Sequence, residues 1–171
     1  PGDQAPGLVF GVAVALCYVA GRLLTGTVVP DDLPLAGGAG SLSTLFVFLV
    51  VALVVAPATL HLLAALQTLL LVAFVPDRAG VSETVQVIAY ATAPCVVAGL
   101  PSAPLRLAVA VYGAVLLALG VAVVHETSLR RAAVVTALPS AVLFGYAFRG
   151  FAAAVAVVDW IGRTLAASGV V

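Results

Sequence analysis

Residues 41–75, SLSTLFVFLVVALVVAPATLHLLAALQTLLLVAFV, decide the fold. From Leu42 to Val75 they run 34 residues without a formal charge. As a helix that is about 51 Å at 1.5 Å per residue, against a bilayer core of about 30 Å. The segment therefore tilts, kinks or emerges along the interface, and it is too short for two spans and a turn.

Working outward, four further apolar stretches reach the length of a span: residues 7–24, 84–100, 105–124 and 132–148. They are separated by the Pro- and Gly-rich segment TGTVVPDDLPLAGGAG with Asp31 and Asp32, the turn PDRAG, the turn PSAP, and HETSLRR. After Arg149 and Gly150 a shorter apolar run, Phe151 to Val158, leads to Asp159, Trp160 and Arg163. Asp159 and Arg163 stand one helical turn apart, and Trp160 suits a membrane interface. The pattern predicts an all-α, polytopic transmembrane bundle of five spans, with residues 151–167 as an interfacial tail helix. A sixth span is the alternative for that tail.

Composition agrees. The chain is 64% hydrophobic and 8% charged, with seven Arg, seven acids and no Lys, too few to give a soluble globule a polar skin. Charge balance leaves no basic stripe for nucleic acid, so the expected environment is the lipid bilayer. Met, Lys and Asn are absent and Ile occurs twice, a residue usage of GC-rich prokaryotic genomes; the missing initiator implies chain upstream of Pro1. Cys17 and Cys95 lie in apolar runs, where free cysteines act as small hydrophobes. The twin Arg130–Arg131 set against the twin Asp31–Asp32 place the N-terminus in the cytoplasm and the protein in the cell membrane.

Within the spans, small residues at four-residue spacing predict close helix packing: Ala110, Ala114, Ala118 and Ala122; Ala133, Ala137, Ala141 and Gly145; Ala13, Cys17 and Gly21. Pro57, Pro94 and Pro139 each remove the hydrogen bond to the carbonyl four residues back, freeing those of Leu53, Tyr90 and Val135. A kink that aids packing is the simple reading; a broken helix lining a transport site is the other. His61 is the titratable group deepest in a span, on one helical face with Pro57, Ala64, Ala65 and Thr68, and it is expected to donate a hydrogen bond across an interface. Gln67 points elsewhere and needs a neighbour.

Chemistry-bearing motifs are missing. His61 and His125 lie too far apart for a metal-ligand pair, His125–Glu126 is not a zinc-protease helix, and GGAG is turn chemistry. Neither an enzyme nor a cofactor or metal site is expected.

The stretches ETVQVIAYATAPCVVAGLP and VVHETSLRRAAVVTALP resemble the Yip1-domain family of membrane proteins in its prokaryotic form. The resemblance rests on a Tyr-Ala-x-x-Pro pattern at Tyr90, Ala91 and Pro94. It also rests on a Val-His-x-x-Ser loop at Val124, His125 and Ser128, which leads to an Arg-Ala helix start at Arg131 and Ala132. It covers Leu42 to Phe148 and extends less clearly to the first span. It implies five spans, a cytosolic N-terminus and a missing upstream stretch. The Rab-linked role of eukaryotic members does not carry over, because their Asp-Leu-Tyr-Gly-Pro signature is absent. The expected function is a non-enzymatic scaffold or adaptor that binds membrane or cytosolic proteins through residues 76–82 and 125–131, with Arg130 and Arg131 among the contacts. Self-association is open. The alternative is a small-solute or ion transporter with a midplane site near His61, Tyr90 and Pro94.

Overall fold

A computed structural model of the chain describes residues 3–25, 40–76 and 78–168. The loop with Asp31 and Asp32, and Asp77 in the PDRAG turn, lie outside these residues. Helix α1 (Ala5–Leu24) is followed by α2 (Gly40–Val50), a π-helical segment (Val51–Val55) and α3 (Ala56–Phe74), which run on from one another. Helix α4 (Val81–Ala91) ends in a 3₁₀ segment (Ala93–Val97) and leads to α5 (Ala103–Val124). Helix α6 (Leu129–Ser140) passes into a second π segment (Ala141–Ala147), and α7 (Gly150–Ala167) closes the chain. No strand occurs among the described residues.

Among the described residues, four helices are long and apolar enough to cross a membrane: Ala5–Leu24, Ser43–Phe74, Ala103–Val124 and Gly150–Ala167, with Val81–Val97 a shorter apolar helix. Large apolar side chains such as Leu53, Leu62, Leu69 and Val123 face outward. That perimeter is stable in lipid and unstable in water, so the chain is an all-α polytopic membrane bundle.

Each of the three span prolines, Pro57, Pro94 and Pro139, sits where the helix changes pitch. Just before Pro57, the Ala56 N–H reaches back five residues to Val51 O, the π-helical bond. Pro94 opens the 3₁₀ segment, in which the Cys95 N–H bonds Thr92 O at 2.8 Å. After Pro139 the backbone again widens, and the Phe148 N–H reaches Leu143 O at 3.0 Å.

Helix α4 is central, packed against α1, α3 and α5, and buries Val85, Ile88 and Ala89. The predicted small-residue stripes are only partly the contact faces. In α1 the buried positions are Gly7, Gly11 and Val14, whereas Ala13 and Cys17 are exposed. In α6 they are Ala132, Val135, Thr136 and Pro139, with Ala133 and Ala137 exposed. In α5 the buried line is Ala110, Gly113, Leu117 and Val121, with the other alanines of the stripe half-buried beside it. A strict four-residue repeat drifts about 40° per step around a helix of 3.6 residues per turn, so such stripes leave the contact face. The signal that marks the α1 face is the Gly7–Gly11 pair in GLVFG, a small-xxx-small motif.

Candidate functional site

The polar loops at the end of the bundle where α4 and α6 begin are joined through one side chain. His125 caps α5 and is buried, 1% exposed. Its Nδ1 accepts the backbone N–H of Ala79 at 3.2 Å. The proton therefore resides on Nε2, which faces Thr84 Oγ1 at 3.4 Å, and that hydroxyl donates to Gly80 O at 3.1 Å. The ring is positioned by the end of α5: Glu126 is left-handed at φ 47°, and the Thr127 N–H bonds Ala122 O at 3.0 Å. These bonds form a Schellman-type stop. Burial holds the imidazole below its usual 6.5; the charge of Glu83 opposes this and that of Arg78 adds to it.

His125 is thus the keystone between the two loops that were expected to bind partners, and is not itself an accessible contact. Arg130 and Arg131 are exposed and border a shallow cavity of about 260 Å³ with Phe74, Val134 and Val135.

His61 is placed differently from expectation. The buried stripe of α3 runs through Leu60, Leu63, Ala64, Gln67 and Leu71, which leaves His61 exposed. Its Nδ1 lies 2.7 Å from Pro57 O, so its hydrogen bond closes within its own helix and does not cross an interface. Tyr90 is also exposed, its ring 5.2 Å from that of Phe10, and Pro94 is half-buried.

Gln67 is fully buried and meets the expected need directly: its Nε2 donates to Val135 O at 3.2 Å, the carbonyl that Pro139 deprives of its helical partner. Gln67 Oε1 and Thr68 Oγ1 have no partner among the described residues.

Between α1, the two π segments and the top of α4 lies an apolar groove of about 150 Å³. Gly11, Ala15 and Tyr18 form one wall, Val51 and Val55 of the first π segment another, and Ala147 and Phe148 close it. Thr92, at the head of the 3₁₀ segment, is on its floor, so all three irregular segments meet there. None of Pro57, His61, Tyr90 or Pro94 lines it. Sequence reading missed the groove although it located the three prolines that shape it.

A lipid-facing helical bundle with pinned polar loops at one end and irregular helical turns around a lateral groove defines a multi-pass membrane protein; among the described residues no group of His, Cys, Asp or Glu is placed to hold a metal ion. The Yip1 domain matches residues 1–150, and the chain belongs to that family. The match includes α1, beyond the Leu42–Phe148 stretch that carries the resemblance most clearly. No curated protein and no solved structure is similar enough to match.

Proposed function

We propose that the protein is a non-enzymatic scaffold or adaptor in the cell membrane, with its N-terminus and the loops around residues 76–82 and 125–131 in the cytoplasm. The observation that carries this is the Ala79–His125 hydrogen bond, which ties two loops distant in sequence into one face. A fixed face that exposes Arg78, Arg130 and Arg131 beside an apolar cavity under Phe74 and Val134 suits a partner segment with an apolar anchor and flanking acids. Pinning lowers the ordering cost of association. A photocrosslinker placed at Glu126 should trap a discrete protein in cells, and the adduct should disappear when Arg130 and Arg131 are both replaced by Glu. Adducts to lipid alone, or a protein adduct indifferent to that reversal of charge, would sink the adaptor role. A second copy of the chain is one identifiable outcome of the same experiment.

A further inference from the structure

The outer face of α3 carries a polar atom that the fold leaves without a partner. His61 Nδ1 lies 2.7 Å from Pro57 O. A carbonyl only accepts, so Nδ1 carries the proton and Nε2 presents a lone pair. The ring is exposed, and no donor among the described residues meets Nε2.

That lone pair lies deep in the span. Within Ser43–Phe74, His61 stands thirteen residues from one end and eighteen from the other, about 20 Å and about 27 Å of helix. Along the helix, Leu53 and Val54 on one side and Leu69, Val72 and Phe74 on the other are all exposed. These side chains keep both flanks of His61 in hydrocarbon, out of reach of water and of lipid headgroups. An ionisable side chain in a span ordinarily faces the bundle interior or pairs with another such group. Left toward lipid, the acceptor goes without the hydrogen bond it would have in water, which is costly. The missing donor therefore belongs to a protein chain at the same depth.

A second copy of this chain supplies it by symmetry. A twofold axis along the membrane normal sets equivalent residues at equal depth, so His61 faces His61. The surrounding face suits a close helix pair: the exposed Ala58, His61, Ala65 and Val72 recur at three, four and seven residues, the seam of a left-handed crossing. Ala58 and Ala65, about one turn to either side of the ring, leave room for the other copy's imidazole. The hydrogen bonds also balance. One ring moves its proton to Nε2 and donates to the Nε2 lone pair of the other; Pro57 O, released by that side chain, keeps the helical N–H of residue 61. We propose that two copies of the protein associate along the outer face of α3, joined by a hydrogen bond between their His61 rings.

The test uses the full chain in native membranes with Cys17 and Cys95 replaced by Ala. Under copper–phenanthroline oxidation, Ala58→Cys and Ala65→Cys should each give a disulfide-linked species of twice the chain mass. Tyr112→Cys should stay monomeric: Tyr112 is also exposed, twelve residues from the end of α5, and α4 and α6 pack between α5 and α3. In liposomes, energy transfer between labelled copies diluted with lipid gives the dimer dissociation constant. His61→Leu should raise it about threefold, as expected for one interhelical hydrogen bond in a membrane. His61→Gln, whose amide both donates and accepts, should leave it near the parent value. Because His61 packs in no core, both variants are read on a folded protein. Equal crosslinking at Tyr112 and Ala65, no crosslinking at Ala58 and Ala65, a linked species whose mass reveals a different protein, or a dissociation constant unchanged by His61→Leu would each overturn the proposal.

Discussion

At Gln67 one side chain repairs a defect 68 residues away in sequence. Pro139 leaves the Val135 carbonyl without its helical N–H, and in lipid no water can replace it. Gln67→Leu should therefore destabilise the protein by about 1 kcal/mol, a typical value for a side-chain hydrogen bond inside a membrane protein. In a Pro139→Ala background the backbone N–H regained at that position can serve Val135 O. The same Gln67→Leu change should then be neutral or favourable, because it also removes the unpartnered Oε1. Unfolding of the four proteins of this cycle in mixed micelles measures the coupling; additive losses would mean that the amide does not serve that carbonyl. His125 makes a second prediction. The fold holds its pKa below 6.5, so between the folded value and 6.5 the unfolded chain binds more protons. The stability it contributes is complete above pH 6.5 and declines as pH falls below it. His125→Gln keeps an acceptor for the Ala79 N–H and cannot titrate. Thermal unfolding compared at pH 7.5 and pH 5 should show a smaller loss in that variant than in the parent.

At the scale of elements, the apolar runs and prolines were legible because both act locally: a span needs a run of apolar side chains, and a missing N–H breaks a helix wherever it lies. Which face a helix buries depends on its neighbours and was not legible in the alanine stripes. His61 is deep in a run yet faces outward, while His125 sits in a polar loop yet is buried, because depth along a sequence is not burial in a bundle. The Gln67 amide could be seen to need a partner, but Val135 could be named only once α3 lay against α6. The crossing of α1 over the backbone at Gly99 gives the element-scale prediction. A Cβ at Gly99 would collide with Tyr18 O, a backbone atom that cannot swing aside. Gly99→Ala should cost about 1–3 kcal/mol through overpacking. Gly162→Ala, in α7 with open space around the added methyl, should stabilise its helix by up to about 1 kcal/mol. Unfolding midpoints of equal size and sign for the two variants would contradict the close crossing.

For the molecule as a whole, the open matter is how α7 leaves the bundle. Its first turns pack on α5 through Gly150 and Ala153, with Phe151 lying over Gly145, yet from Val158 to Ser168 every residue is exposed. The helix is long and apolar enough to cross a membrane by length and composition. Asp159 and Arg163 would then stand in hydrocarbon with no protein over them, at a cost of about 2.5–3.5 kcal/mol for each such charge. At the interface the same two charges cost little, and Trp160 between them is favoured there. We therefore expect α7 to turn from the groove end into the interface and to end on the side where it began. Single cysteines at Glu126, Arg149 and Ser168, in a chain with Cys17 and Cys95 replaced by Ala, report this through a membrane-impermeant maleimide. In intact cells Arg149→Cys and Ser168→Cys should label from outside, and Glu126→Cys only after lysis. If Ser168→Cys instead behaves like Glu126→Cys, α7 crosses the bilayer. Asp159 and Arg163 would then need a polar partner in the membrane, and a second copy of the chain, facing its own pair, is the closest source.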